Sequence, residues 1–282
     1  MTQPNALKES GLKDAQPLLV LCIKWGKAYG PQHVNRLKHG VQRNLSYPFR
    51  FICFTDDASG LEPDVEVLPL PRIDLPSHHQ DRRWTKIGLL GRDVYGLKGT
   101  ALFLDLDLVI VGRLEPFFDE PGNVIMIRDM DLFRAKPLRA LNPRRKRFLD
   151  RVGNSSVFRM DMGAHGDLLD AFVEDPVLAQ SQFKISQQFM SHHLLVKGVL
   201  SYWPSAWCVS FKNQCVPRYL KSYFQDPYLP TNARIVVFAG NPKMDEVVAG
   251  GGGRWYRRVG KVDWLIQAWT ASDRNVAKSQ AS

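Results

Sequence analysis

Ala101-Leu-Phe-Leu-Asp-Leu-Asp-Leu-Val-Ile-Val111 sets two carboxylates, Asp105 and Asp107, inside an otherwise continuous apolar run. An ionised carboxylate enclosed by Phe103, Leu104, Leu106 and Leu108 is costly to bury without a partner. The pair therefore belongs at a strand end that faces solvent, a cation or hydrogen-bond donors. In extended backbone residues i and i+2 project to the same side, so both acids face one place. Oxygen ligands of this kind suit Mg²⁺ or Mn²⁺, which can bridge to the phosphates of a nucleotide. The plainer alternative caps a turn with one Asp and leaves the other on the surface. Against it stand the hydrophobic residues on both sides of the pair, and the preference of open α/β sheets to hold ligands outside strand ends.

Upstream, Leu18 to Ile23 and Phe49 to Phe54 are short, unbroken apolar runs, as expected of strands covered on both faces. Between them Val34, Leu37, Val41 and Leu45 recur at helical spacing, with Asn35, Arg36, Lys38 and Arg43 on the other face. This predicts a helix that ends near Asn44. Thr55-Asp56-Asp57-Ala58-Ser59-Gly60 is turn chemistry. Strand, helix, strand in succession predicts a mostly parallel sheet with crossover helices. Further strands are expected at Val65 to Leu68, Val124 to Ile127, Asn154 to Arg159, Val199 to Trp203 and Ile235 to Phe238. Helices are expected from about Asp81 to Tyr95 and around Leu168 to Val173. The expected organisation is a flexible tail over residues 1–16, one α/β domain over 17–270 and a disordered tail over 271–282.

With 44% hydrophobic and 11% aromatic residues the chain has the material for a full core, which argues against disorder. Leu18 to Ile23 has neither a cationic start nor a small-residue cleavage site, so it is expected to be neither a leader nor a membrane span. Cys22, Cys53, Cys208 and Cys215 form no C-x-x-C pair, which fits a reducing, cytoplasmic setting without zinc or disulfides. The adjacent pairs His78-His79 and His192-His193 point apart on a helix or a strand and are not expected to chelate one ion. Lys+Arg 38 against Asp+Glu 28 gives a formal net charge of +10, concentrated in Arg144-Arg-Lys-Arg147 with Arg151 and in Arg254, Arg257 and Arg258 beside Trp255 and Tyr256. Such clusters suit a solvated face or anionic partners, among them a lipid-linked diphosphate acceptor and the inner leaflet of a membrane, with peripheral contact there. Val262, Trp264, Leu265 and Trp269 make the apolar side of a terminal helix expected to dock on the core. A basic nucleic-acid-binding protein is the reading from another class. It leaves Asp105 and Asp107 unexplained, and no nucleic-acid partner is expected.

Phe103-Leu-Asp-Leu-Asp-Leu-Val-Ile110 resembles the Asp-x-Asp motif of the GT-A glycosyltransferases, the nucleotide-sugar-dependent class that includes the glycosyltransferase 8 family. Trp25-Gly26 after the first strand, Cys53-Phe-Thr-Asp-Asp57, Trp84-Thr-Lys86, Asn154-Ser-Ser156 and Phe238-Ala-Gly-Asn-Pro-Lys243 resemble further landmarks of that class, in order. The resemblance implies a single-domain, Rossmann-like α/β fold of GT-A type. It also implies metal-assisted transfer of a sugar from a nucleotide-diphosphate donor, UDP-linked, to a glycan, glycolipid or other acceptor. Asp105 would touch the ribose or the metal, and Asp107 the metal, Mn²⁺ or Mg²⁺. Trp25 would belong to the nucleoside site, Asp56 or Asp57 would meet the base or ribose, and Lys86 would lie near the phosphates. Asn154 and Ser155 would contact the transferred sugar, Gln187 would position it, and Lys243 would meet the diphosphate.

Two departures bear on mechanism. Retaining relatives commonly carry His, a third metal ligand, where this chain has Ala239, and they tend to show Asp-Gln where it has Ser186-Gln-Gln188. Without a carboxylate at Ser186, retention by same-face attack, assisted by the departing phosphate, fits better than double displacement. A catalytically silent nucleotide-sugar-binding protein is the other reading these departures leave.

Overall fold

The first strand, β1 (Leu18–Lys24), sends Leu19 and Leu21 into one core and Val20 and Cys22 into another, all four buried. An unbroken apolar run is what two covered faces require. The computed structural model describes residues 17–75, 82–132 and 152–270. The expected tails, His78-His79, and Arg144 to Arg147 with Arg151 lie outside the described residues. The remaining strands are β2 (Phe49–Thr55), β3 (Glu66–Leu68), β4 (Thr100–Leu104), β5 (Leu108–Ile110), β6 (Val124–Arg128), β7 (Gly153–Asp161), β8 (Leu200–Tyr202), β9 (Cys208–Ser210) and β10 (Ile235–Val237). A small hairpin, β11 (Gly253–Arg254) and β12 (Arg257–Arg258), follows. The helices are α1 (Pro31–Asn44), α2 (Glu115–Asp119), α3 (Gly166–Glu174), α4 (Pro176–Gln182), α5 (Ser186–Val196), α6 (Met244–Val248) and α7 (Asp263–Thr270).

Among the described residues the main sheet runs in the order β3-β2-β1-β4-β7-β6-β8, and only β7 is antiparallel to its neighbours. On one face α1 packs Val34, Leu37 and Val41 against Val20, Cys22 and Leu104. On the other, the 3₁₀ helix Arg82–Leu90 with α3 and α5 packs Trp84, Phe172 and Phe189 against Leu21, Phe54 and Phe103. A second sheet, β5-β10-β9, alternates in the same way. Ile110, Ile235 and Cys208 join the first core, while Val109, Val236 and Val209 face a third core closed by α6 and α7. Leu265 and Trp269 of α7 are buried there, and the Trp264 indole N–H donates to the Pro227 carbonyl at 3.0 Å, so the terminal helix docks on the core.

Two local expectations change. The segment expected to be a helix from Asp81 to Tyr95 is 3₁₀ over Arg82–Leu90 and then turns. Gly88 presses on Pro71 and the Arg72 carbonyl, where a Cβ would sit 2.8 and 2.9 Å from them, and that close approach outweighs the apolar periodicity. Lys38, assigned to the polar face of α1, is buried, with its ammonium held by Glu62 and Asp64. Its long stem covers apolar surface while the charged head finds carboxylates.

Ser191 of α5 pins that helix to β7. Its hydroxyl accepts from the Gly153 N–H at 2.8 Å and faces the Gly153 carbonyl at 3.0 Å. The contact is fully buried, and Ser191→Ala is expected to destabilise the protein by about 1–2 kcal/mol in urea unfolding. A change within about 0.3 kcal/mol would show that the helix is held by apolar packing alone.

Candidate active site

β4 and β5 belong to different sheets, and Asp105-Leu106-Asp107 is the link between them. The Asp105 N–H donates to the Ser156 carbonyl at 2.9 Å, which prolongs the pairing with β7. The Asp107 carbonyl accepts from the Phe238 N–H at 2.8 Å, which ties it to the end of β10. The two acids thus stand in the seam between the sheets, just past the carboxyl end of a central parallel strand. Their sequence signal arises from this: Leu104, Leu106 and Leu108 stay in the first core, while on the opposite face Phe103 belongs to the second core and Val109 to the third, and Asp105 and Asp107 fall between those two. A cleft of about 330 Å³ opens at the seam, and both side chains line it with Trp25, Tyr29, Lys86, Ser155 and Gln187.

The two carboxylates are electrostatically unlike. Asp105 is engaged by the Lys86 ammonium, 2.7 Å from Oδ1 and 2.8 Å from Oδ2. That ammonium also reaches the Ser155 carbonyl at 3.2 Å and lies 4.9 Å from the centre of the Phe103 ring. Asp107 has a buried Oδ1 with no hydrogen-bond partner among the described residues. Burial, and next the charge of Asp105, push its pKa up to about 6, against the opposing pull of Lys86 and Lys243. Burial and the same two carboxylates push the Tyr29 hydroxyl up to about 12, which keeps it a hydrogen-bond donor. A buried acceptor without a donor calls for a proton or a cation. The donor set fits a hard divalent ion that keeps much of its water shell. Among the described residues no cluster of three or more His, Cys, Asp or Glu could hold a metal, and Ala239 has no ligand atom to add.

No protein-family model matches the chain, and no curated protein matches it in sequence. In three dimensions it is similar to the galactosyltransferase LgtC in complex with donor and acceptor sugar analogs, at 13% identity over 80% of this chain and 88% of that one, with a TM-score of 0.54. An active-site glutamine-to-glutamate variant of LgtC is similar at 12% identity over 80% and 89% of the two chains, with a TM-score of 0.51. The bifunctional glycosyltransferase WbbM is similar at 12% identity over 94% of this chain and 52% of that one, with a TM-score of 0.58. The fold is of the GT-A glycosyltransferase type. No helix among the described residues is long and apolar enough to cross a membrane.

The GT-A scaffold gathers Trp25, Lys86, Asp105, Asp107, Ser155 and Gln187 around one cleft. Trp25 follows β1 and is 40% exposed, with the Arg82 guanidinium 5.9 Å from the ring centre. Gln187 and Ser186 enter the cleft from the first turn of α5. Lys243 caps the start of α6 and is exposed, yet its charge is felt at Asp107. Other expected residues lie outside the lining. Asp56 is held by Arg82, which keeps its carboxyl below the usual range. Asp57 closes a turn by accepting from the Ser59 N–H at 2.9 Å, while its carbonyl accepts from Lys24 at 2.8 Å. Asn154 is buried, donating to Asp129 at 3.2 Å and accepting from the Ser156 N–H at 2.9 Å. His192 and His193 pack on Phe183 and Phe189 rings. Tyr29, Arg82, Arg83 and Thr85 line the cleft without having been singled out in the sequence. The basic pair Arg82-Arg83 close before Lys86 was the available signal.

Proposed function

We propose that the chain is a glycosyltransferase that moves a sugar from a nucleotide-diphosphate donor, UDP-linked, to a glycan or lipid-linked acceptor. The observation that carries this is the partnerless buried oxygen of Asp107, beside Asp105, in an open cleft at the sheet seam. Similarity of fold to LgtC, crystallised with donor and acceptor sugar analogs, supports it. Asp105 and Asp107 would hold Mn²⁺ or Mg²⁺. When bound, that cation supplies charge neutralisation for the departing diphosphate.

The protein's own groups supply the rest. Trp25 offers a flat apolar face at the cleft mouth for a base, while Arg82, Arg83 and Lys86 form a cationic wall for phosphates. Tyr29 and Ser155 donate hydrogen bonds to ribose or sugar hydroxyls. Gln187 is neutral and orients the sugar; LgtC likewise has an active-site glutamine, the residue altered in its solved variant. Ser186 beside it brings no carboxylate and Asp105 and Asp107 are assigned to the cation, so under retention the acceptor attacks on the face the phosphate leaves. The four free, buried cysteines fit a reducing, cytoplasmic setting, and a lipid-linked acceptor would bring the protein to the inner membrane face.

Thermal shift against nucleotides and nucleotide sugars, with and without Mn²⁺, tests the reading. A UDP compound is expected to stabilise the protein only with metal, and Asp105→Ala or Asp107→Ala to abolish the shift. Metal-free stabilisation of equal size would remove the proposed role of the pair. A silent binding protein is the second reading, favoured by Ala239 and by the hold of Lys86 on Asp105. It would show the same shifts without hydrolysis or transfer. For the enzyme, Gln187→Ala is expected to lower kcat by about 10–100-fold and change donor KM less than about two-fold, the mark of a group that acts on the reacting sugar.

A further inference from the structure

We propose that the surface formed by the 3₁₀ helix Tyr219–Tyr223, the chain onward to Leu229 and the β11–β12 hairpin docks on an anionic lipid bilayer. Soluble proteins scatter exposed apolar side chains singly, and a contiguous aromatic patch marks an interaction surface. Here Phe224 is 88% exposed, Trp255 83%, Tyr219 70% and Leu220 65%, with Tyr223 and Tyr228 about half exposed beside them.

The patch is built to hold its shape. The Tyr223 hydroxyl donates to the Trp255 carbonyl, joining helix and hairpin. The Arg257 guanidinium donates to the carbonyls of Val216 at 2.5 Å and Pro217 at 3.0 Å, clamping the hairpin to the chain just before the helix. This employs one arginine of the hairpin cluster structurally. The other two, Arg254 and Arg258, are exposed, as are Arg218 and Lys221 on the facing segment. Asp226 is the one acid between residues 208 and 229, and none occurs between 250 and 262.

Exposed aromatic rings and exposed cations on the same two segments match the boundary of an anionic membrane, where the rings settle at headgroup level and the cations meet lipid phosphates. A second copy is a poor occupant, because a two-fold interface would set these like charges against each other. The hairpin also adjoins the segment that leads to Lys243. A hollow of about 60 Å³ between Lys212, Asn241, Pro242, Arg254 and Tyr256 joins the hairpin to the loop that carries Lys243, whose charge reaches Asp107. Docking would hold the cleft beside a lipid-linked acceptor. That last step rests on the proposed function; the docking does not.

The test is co-sedimentation of the full chain with vesicles of phosphatidylcholine alone and of phosphatidylcholine mixed with phosphatidylglycerol. Association only with the mixed vesicles, lost at high salt, is expected. Trp255→Ala with Phe224→Ala should weaken partition by at least about ten-fold. Arg254→Gln with Arg258→Gln should weaken it by about 30-fold, which follows from roughly 1 kcal/mol per basic residue. The arginine variant disturbs no core group and decides the matter if the aromatic one fails to fold. The proposal is overturned by equal binding to neutral vesicles, by no binding to mixed ones, by partition of the arginine variant like that of the wild type, or by a dimer in solution that the aromatic variant dissolves. Metal-dependent UDP binding should be unchanged in both variants. Vesicle binding without UDP binding would sink the transferase reading and leave the surface; the converse would sink the surface alone.

Discussion

Asp107→Asn is expected to abolish metal-dependent UDP binding and lower transfer by at least about 10³-fold, while making the metal-free protein more stable above about pH 6. The two effects share one cause. The Asp107 carboxyl has a pKa of about 6 because it is buried, beside the charge of Asp105, with one oxygen lacking a partner. In the unfolded chain the same group ionises near 3.9. As pH rises the unfolded chain loses its proton first, so native stability falls from about pH 4 to about pH 6 and the full penalty persists above. At about 1.4 kcal/mol per pKa unit it amounts to roughly 2–3 kcal/mol, allowing for some solvent access. Asparagine carries no charge and escapes the penalty. Urea unfolding in chelator near pH 8 should therefore show the variant more stable than the wild type, with the difference vanishing near pH 4. A less stable variant near pH 8 would mean that the carboxylate is satisfied in the native state and that its oxygen needs no cation.

The same energetics explain what was legible in the sequence. β1 and β2 could be read because strands covered on both faces have no polar position to interrupt them. Asp105 and Asp107 could be read because charge inside such a run has few explanations, and the seam between two sheets is one of them. Asn154 shows the limit: a polar residue inside a buried strand resembles a ligand contact, and in the fold its amide serves Asp129 and the Ser156 N–H. Asp57 resembles a nucleoside contact in the same way, and its carboxylate closes a turn. Short polar side chains can bond their own backbone or a substrate, and spacing does not separate the two uses. Nothing in the sequence separates the 3₁₀ helix Arg82–Leu90 from an ordinary helix, because the tight contact of Gly88 with Pro71 and Arg72 is tertiary. The aromatic patch was half visible. Trp255 and the arginines stand together in sequence, but Tyr219 to Phe224 meet them only through the fold, by the bond from Tyr223 to the Trp255 carbonyl.

Lys86→Met is expected to tighten Mn²⁺ binding to the nucleotide-free protein by about ten-fold near pH 8, and to lower transfer by about 10²-fold. In the metal-free protein Lys86 neutralises Asp105 at 2.7 Å, so a divalent ion taken by the same acids meets a like charge nearby. Unit charges roughly 5 Å apart at an effective dielectric constant near 20 interact by about 3 kcal/mol, more than the 1.4 kcal/mol of a ten-fold change. Methionine keeps the stem over Phe103 and removes only the charge. Transfer should fall because the cationic wall before the departing diphosphate loses a member. The charge of Lys86 also restrains the pKa of Asp107, so in the variant that acid holds its proton to higher pH and the gain in Mn²⁺ affinity should shrink as pH falls toward about 6. A lysine that merely braced Asp105 would lose metal affinity and activity together when replaced. Opposite movement of the two, with this pH dependence, identifies Lys86 as the group that occupies the acids until a cation and a diphosphate arrive.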